Sequence, residues 1–270
     1  MADARLRDEV AAVVGSSQEA TWIVEQFPDP GAALAVARRR EAGEPLQYLL
    51  GSWPFRTHDL QVDARALIPR PETEQVVERA LAAWRATRPG ADGLVIVDLG
   101  TGSGAIGLSL GGELADEASI DRILLLDLSP GALELAGENA ARLEVAVELR
   151  CGSWFAAMPE DLRRKVHLLM ANPPYVAADE EADLAIELSF EPRTALIGAD
   201  GDDGTPGFAD VAVVIDEAGA WLAPGGIVVV EMAEHQVPVA LERASAAGLV
   251  DLEAFADLAG HPRGIVGRAP

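Results

Sequence analysis

The sequence predicts an α/β protein: a doubly wound, mostly parallel sheet with a small helical unit ahead of it. Three observations predict this. Apolar runs over residues 94–99, 123–127, 145–151 and 166–171 have the length and continuity of strands buried on both faces. Between them lie stretches with helical spacing, one entered through a glycine-rich turn and one through Ser129-Pro130. Strand and helix alternating at this interval give crossover connections and a parallel sheet.

In chain order, residues 3–42 read as helices. Leu6, Val10, Val13 and Val14 fall on one helical face, Ser16 suits the cap of a second helix running to about Phe27, and Asp29-Pro30 suits the start of a third running to about Ala42. Residues 46–51 and 53–55 are apolar patches around a Gly-Ser turn, and 59–63 alternates as a strand does, so a small hairpin is expected as a linker. Residues 67–71 are held extended by Pro69 and Pro71, which places Glu72 and Glu74 in the first turn of a helix reaching about Trp84. Arg70, rigid between the prolines, suits a structural ion pair or a site role equally. A loop is expected over 88–93, then the four strands and their helices. An acidic, irregular insert follows to about Gly207, then a helix over 207–222, a fifth strand over 227–231, a helix over 234–247, and two closing strands over 249–256 and 264–268.

Composition sets limits. The 270 residues are 49% hydrophobic and 24% charged, enough for a good core. Asp and Glu number 44 against 21 Lys and Arg, a net charge of −23, which repels a phosphate backbone in the absence of a local basic patch. Direct nucleic-acid binding is therefore not expected, and the triplets 38–40 and 163–165 read as solvated helix ends or loops. The single cysteine, Cys151, excludes an internal disulfide and reads as a core residue. The N-terminal residues carry charges where a signal peptide needs an apolar core, and no apolar run approaches the ~20 residues of a membrane span. The expected setting is cytoplasmic, with no membrane partner. The four histidines are dispersed without metal-ligand spacing, so no metal is expected, and His167 reads as buried structure.

Two constellations carry chemistry. Residues 100–107 form a glycine-rich turn that lets a backbone approach a ligand closely, with helix N–H groups behind it. Within it 102–107 satisfies GxGxxG, and Asp127 lies about 20 residues beyond, able to accept both hydroxyls of a ribose, so a nicotinamide enzyme competes at this point. The second constellation is Asn172-Pro173-Pro174-Tyr175 at the end of the fourth strand. Two prolines make a stiff turn; the Asn172 side-chain oxygen can accept from one N–H of a planar amino group, the Pro173 carbonyl from the other, and Tyr175 can lie against the plane. That turns the nitrogen lone pair toward an electrophile such as a sulfonium methyl, where placement is most of the task. No clear hydride-transfer partner is present for a dehydrogenase.

These residues, with Pro45 through Tyr48, Leu67 through Glu74 (LIPRPETE), Asp98 through Gly107 (DLGTGSGAIG), Trp154-Phe155, Phe190 through Leu196, 257–260 and 266–268, resemble the HemK-type protein-(glutamine-N5) methyltransferases that modify peptide-chain release factors. The resemblance spans about residue 45 to the end. It implies a Rossmann-like S-adenosylmethionine-dependent methyltransferase fold, with S-adenosyl-L-methionine as cofactor. It places Gly100, Thr101, Gly102, Ser103 and Gly104 along the cofactor's methionine and ribose, Asp127 on the ribose, Trp154 near the adenine and Asn172 by the methyl. Asn172, Pro173, Pro174 and Tyr175 would hold the substrate amide, with Asn172, Pro173 and Tyr175 as the catalytic set. The implied partner is a release factor, whose Gly-Gly-Gln loop docks between the helical and catalytic units. Ser153 stands where the family usually has an acid. The expected organisation is a helical recognition unit over 1–43, a hairpin linker over 44–71 and a catalytic domain over 72–270. The alternatives are an N6-adenine nucleic-acid methyltransferase, a methyltransferase of another protein glutamine such as one in a ribosomal protein, and a non-catalytic binding module.

Overall fold

The computed structural model describes residues 2–89 and 92–270. Of the loop expected over 88–93, Gly90 and Ala91 lie outside the described residues.

Three helices open the chain: α1 (Ala2–Val14), α2 (Ser17–Gln26) and α3 (Pro30–Glu41). Their starts are set by side chains that satisfy free N–H groups. The Ser16 hydroxyl accepts from Glu19 N–H at 3.2 Å, and Asp29 accepts from Ala32 N–H at 2.9 Å with Pro30 at the first helical position. Leu6, Val10, Ile23, Val24 and Val36 pack into a core of their own. Leu46 and Leu49 join that core from α4 (Leu46–Leu50), a short helix where the sequence suggested only an apolar arm of a hairpin. The reason is local. The two leucines, three apart, share a helical face, and Gly51 at φ 77° ends the helix instead of turning a hairpin. The hairpin itself is β1 (Ser52–Phe55) with β2 (His58–Gln61), turned around Arg56 at φ 50°. Next comes α5 (Glu74–Thr87), which begins at Glu74, two residues later than expected, because Arg70 through Thr73 form a turn.

The main sheet contains β3 (Leu94–Leu99), β4 (Ile120–Asp127), β5 (Glu148–Cys151), β6 (Val166–Ala171), β7 (Leu222–Glu231), β8 (Val250–Ala256) and β9 (Pro262–Arg268). Its order is β5-β4-β3-β6-β7-β9-β8, parallel throughout except β9, which runs antiparallel to both neighbours. The remaining helices are α6 (Ala105–Leu114), α7 (Pro130–Arg142), α8 (Arg193–Leu196), α9 (Ala209–Trp221) and α10 (Val237–Ala246). Alternate residues of each central strand go to opposite layers. Val97, Leu99, Val228 and Val230 face α9 and α10, while Ile96, Leu168, Met170 and Val229 face α5 and α6. Both faces are covered, which is why these strands read as unbroken apolar runs.

The order reverses at β3. The chain builds β4 and β5 to one side, then crosses over to β6 and β7 on the other. A ligand crevice forms at such a switch point, outside the carboxyl ends of the strands. The register brings those ends level: Leu99 pairs with Leu126 on one side and with Ala171 on the other. The loops that begin at Gly100, Asp127 and Asn172 therefore leave the sheet together.

Two expectations about single residues come out differently from each other. His167 is structural, its Nδ1 accepting from Val95 N–H at 3.0 Å. Cys151 is exposed instead of core, because β5 is the edge strand and only four residues long. Among the described residues no helix is long and apolar enough to cross a membrane, and no cluster of His, Cys, Asp or Glu is arranged to hold a metal.

Helix α6 lies so close to the sheet that Gly107 has no space for a side chain. An added Cβ would collide with the Leu125 side chain and lie 3.1 Å from Asp98 Cβ. Gly107→Ala is therefore expected to lower stability by about 1–3 kcal/mol through overpacking, against the roughly 1 kcal/mol that alanine gains in an open helix. Urea unfolding measures this, and a variant as stable as the parent would contradict the packing described.

Candidate active site

The glycine turn is built around a buried carboxylate. Asp98, at the end of β3, is fully buried; its Oδ2 accepts from the Thr101 hydroxyl at 2.6 Å and from Gly107 N–H at 2.9 Å. One carboxylate thus ties the turn to the helix that follows it. Burial pushes its carboxyl up to about 6, against the two hydrogen bonds that favour the charge. Gly100, Gly102 and Gly104 take φ values of 69°, 55° and 87°, which side-chain-bearing residues rarely adopt. At Gly100 the space matters as well, since a Cβ would lie 3.3 Å from the Trp154 ring.

Asp127 closes β4. Its Oδ2 accepts from Gly102 N–H at 2.9 Å and its Oδ1 from Ser129 N–H at 2.8 Å, so the carboxylate is fixed in place with a lone pair left on each oxygen. Burial raises its pKa, and those backbone bonds oppose the rise. Ser129, not Asp127, caps α7, accepting from Ala132 N–H at 3.3 Å.

The turn after β6 is held from behind. Asn172 Nδ2 donates to the Thr73 hydroxyl at 3.1 Å, leaving Oδ1 as the free acceptor. Pro173 is buried, and the Tyr175 carbonyl accepts from Gln236 Nε2 at 3.1 Å. Backbone also packs directly on backbone: a Cβ on Gly198 would strike the Pro174 and Gly207 carbonyls. The Tyr175 hydroxyl donates to Glu231 Oε1 at 3.3 Å, which turns the ring toward the core beneath the turn.

Residues 65–70, followed by Thr73, form the roof. The Tyr48 hydroxyl donates to the Ala66 carbonyl at 2.6 Å. Ile68 N–H donates to Glu191 Oε2 at 2.9 Å, and Arg70 pairs with the other oxygen of the same buried carboxylate. Arg70 is thus both the ion pair and a cavity residue, the two roles its rigid setting allowed. Breaking such a pair strands a buried charge and costs about 3–5 kcal/mol.

Together these pieces enclose a cavity of about 490 Å³. Of the residues the sequence pointed to, Gly100, Thr101, Gly102, Ser103, Asp127, Trp154, Asn172 and Pro174 line it. Gly104 is buried behind the wall; Pro173 and Tyr175 are not among the lining residues, and the Tyr175 hydroxyl braces the turn through Glu231. Trp154 adopts φ 44° and donates from Nε1 to Asp210 Oδ1 at 2.9 Å. Asp210, Thr73 and Thr194 also face the cavity; sequence reasoning gave them no role, although Thr73 and Thr194 lie in stretches that carry the resemblance, because each reaches the site from an element distant in the chain.

A methyltransferase domain model matches residues 91–247. A release factor glutamine methyltransferase of Cereibacter sphaeroides is 39% identical over 253 residues, covering 90% of this chain and 84% of that protein. The chain belongs to the release factor glutamine methyltransferase family. Family members of the same name from Bordetella pertussis (38% identical, 93% of this chain and 89% of that one) and Burkholderia pseudomallei (37%, 88% and 80%) agree. Solved structures share the fold at low identity. A Pyrococcus furiosus methyltransferase has TM-score 0.52 at 16% identity, covering 78% of this chain and 88% of that chain. A Thermus thermophilus 16S rRNA methyltransferase, bound to AdoMet and guanosine, has TM-score 0.54 at 15% identity, covering 81% of this chain and 50% of that chain. The Rossmann-like methyltransferase fold expected from the sequence is the one observed.

The raised pKa of Asp98 has a signed consequence. An acid that ionises less readily when folded makes the fold lose stability as pH rises from its unfolded value, near 4, to its folded value of about 6. The stability difference between the parent and Asp98→Asn should therefore shift against the parent by about 3 kcal/mol across that window and level off above it. Denaturation at a series of pH values tests this; a difference that stays flat contradicts it.

Proposed function

We propose that the cavity holds S-adenosyl-L-methionine and that this enzyme transfers its methyl group to N5 of a glutamine side chain, in the Gly-Gly-Gln loop of a peptide-chain release factor. The fit is supported by the volume, which suits a ligand of this size, and by the chemistry of the walls. The glycines at 100 and 102 leave backbone exposed for the methionine and ribose, with Thr101 and Ser103 beside them and Gly104 behind. Asp127 is fixed to receive the ribose hydroxyls, and the flat Trp154 ring lies at hand for the adenine. When bound, the cofactor supplies an electrophilic methyl on a sulfonium.

The observation that carries the reading is the state of Asn172. Its NH2 is engaged by Thr73, so its oxygen is the group offered to the cavity. An acceptor there takes one N–H of a substrate amide, and the carbonyl of the neighbouring Pro173 would take the other. Held by its hydrogens, the nitrogen faces the methyl group; as the N–C bond forms the C–S bond breaks, and one amide proton leaves to solvent. Pro174 stiffens the turn, and Tyr175 holds it from below. The helical unit over 1–43, with the linker over 44–71, would grip the release factor beside the catalytic domain over 72–270. This reading sets the enzyme in the cytoplasm, with the translation machinery.

An adenine amino group is planar too, but the charge argues against a nucleic-acid substrate. Three of the six basic residues in the two triplets are engaged by acids or a ring. Arg39 pairs with Glu44, Arg40 with Glu19 and Glu187, and Arg163 with Glu160 while lying 4.4 Å over Trp221.

Labelled S-adenosylmethionine, a release factor and its loop Gln→Ala variant provide the test. Label should appear on the loop glutamine by mass spectrometry and vanish in that variant. Asn172→Ala should lose about 100-fold or more in turnover while cofactor affinity changes little. Normal turnover in Asn172→Ala, or label on nucleic acid instead, would sink the reading.

A further inference from the structure

Glu231 ends β7 beneath the catalytic turn, and the sequence motifs leave it without a role. It is fully buried, yet only its Oε1 has a hydrogen-bond partner, the Tyr175 hydroxyl at 3.3 Å; Oε2 is buried and unpartnered. The Thr73 hydroxyl is near enough to this carboxyl to favour, with that of Tyr175, its charged form, but it makes no hydrogen bond to it in this structure. The same Thr73 hydroxyl accepts from Asn172 Nδ2. One hydroxyl therefore stands between a buried carboxyl and the amide that faces the cavity.

We propose that Glu231 is a positioning residue, which acts through the Thr73 hydroxyl to keep the Asn172 amide with Oδ1 toward the substrate. The inference rests on the proposed glutamine-amide reading of the site. Its logic is a count of protons. An amide side chain can turn over and present either O or NH2 at little steric cost, so only its partners choose. Ionised Glu231 can only accept. Thr73 has a single hydroxyl proton; turned toward the open Oε2 of Glu231, it leaves Thr73 to meet Asn172 with lone pairs alone. Asn172 must answer with Nδ2, and Oδ1 is left for the substrate N–H. Protonated Glu231 reverses the chain. Its acid proton, on the unpartnered Oε2, can go to Thr73 Oγ1, which frees the Thr73 proton for Asn172 Oδ1. The amide then presents NH2 to the substrate's NH2, donor against donor.

The surroundings make this a usable switch. Burial pushes the Glu231 carboxyl up to about 7, while the Thr73 and Tyr175 hydroxyls hold it down. Glu72, ahead of α5, raises it further, and Arg263 of β9 lowers it. Arg70 in the roof and Arg263 also face Tyr175, whose own hydroxyl is raised by burial and by Glu231, so Tyr175 remains a donor throughout.

The test is a pH profile of methyl transfer from about pH 5.5 to 9, with saturating cofactor and a release factor as acceptor. Wild-type kcat should fall as pH drops through about 7, because the ionised form is the competent one. Glu231→Gln should be slower by roughly tenfold or more and lose that acid limb, with cofactor affinity unchanged. Thr73→Ser, which keeps the hydroxyl, should keep both rate and limb. Thr73→Val should lose about 100-fold in kcat, with a smaller change in KM. Should Glu231→Gln fail to fold, the Thr73 pair decides. An acid limb that survives in Glu231→Gln, a wild-type profile without one, or wild-type turnover in Thr73→Val overturns the proposal. A wild-type enzyme that labels no glutamine at any pH overturns the reaction itself, a different and distinguishable failure.

Discussion

Leu99 and Ala171 sit opposite each other in the last rungs of two parallel strands, and Leu126 sits level with them across β3. The pairing is fixed by the apolar pattern, since a slip of one residue would turn the alternate side chains of β3 and β6 into the wrong layers. Because that register is fixed, the glycine turn, Asp127 and Asn172 emerge at one height and at one edge. The reacting geometry is then a matter of short turns on a rigid sheet. Each turn is tied down within a few residues of its strand: Asp98 holds the first, two backbone N–H groups hold Asp127, and Thr73 holds Asn172.

The roof is different. It has no sheet to rest on and is strapped down by long-range polar contacts. Glu191 is the central one, a nearly inaccessible carboxylate that takes the Ile68 N–H on one oxygen and Arg70 on the other. A chain with twice as many acids as bases uses its arginines economically. Arg56, Arg65 and Arg243 each hold more than one carboxylate, and Arg40 joins α2 to the insert through Glu19 and Glu187. The cavity carries Arg65 and Arg70 beside Asp127 and Asp210, so the surplus negative charge is not concentrated there.

Most of the sheet was legible because its central strands are buried on both faces, and α2, α3 and α7 begin at Ser or Asp side-chain caps. The glycine turn, Asp127 and Asn172 were legible for a related reason: their chemistry is written in consecutive residues. What was hidden is long-range. Helix α4 is too short for a periodic signal and exists because Leu46 and Leu49 complete a core made by three earlier helices. Cys151 looked like a core residue because an edge strand and a central strand read alike over a few positions. Thr73, Asp210 and Glu231 reach the site across 99, 56 and 56 residues of chain from the partners they hold, and no spacing rule links such pairs. Tyr175 was placed correctly on its turn, but which way its ring points is decided by the distant Glu231.

The single bridge between Val176 and Ile197 has a consequence for how such an enzyme can diversify. Val176 N–H reaches the Leu196 carbonyl at 3.1 Å, and Gly198 N–H returns to the Val176 carbonyl at 3.0 Å. The turn of residues 172–175 lies on one side of this stitch and the long acidic excursion on the other. Closing a longer loop costs little, only about 0.6 kcal/mol for each doubling of length. Residues can therefore be added or removed in the outer part of the excursion without moving Asn172. The stitch and Glu191 together separate a part that must keep its geometry from the outer stretch ahead of Glu191, which is free to be tailored to a different docking protein.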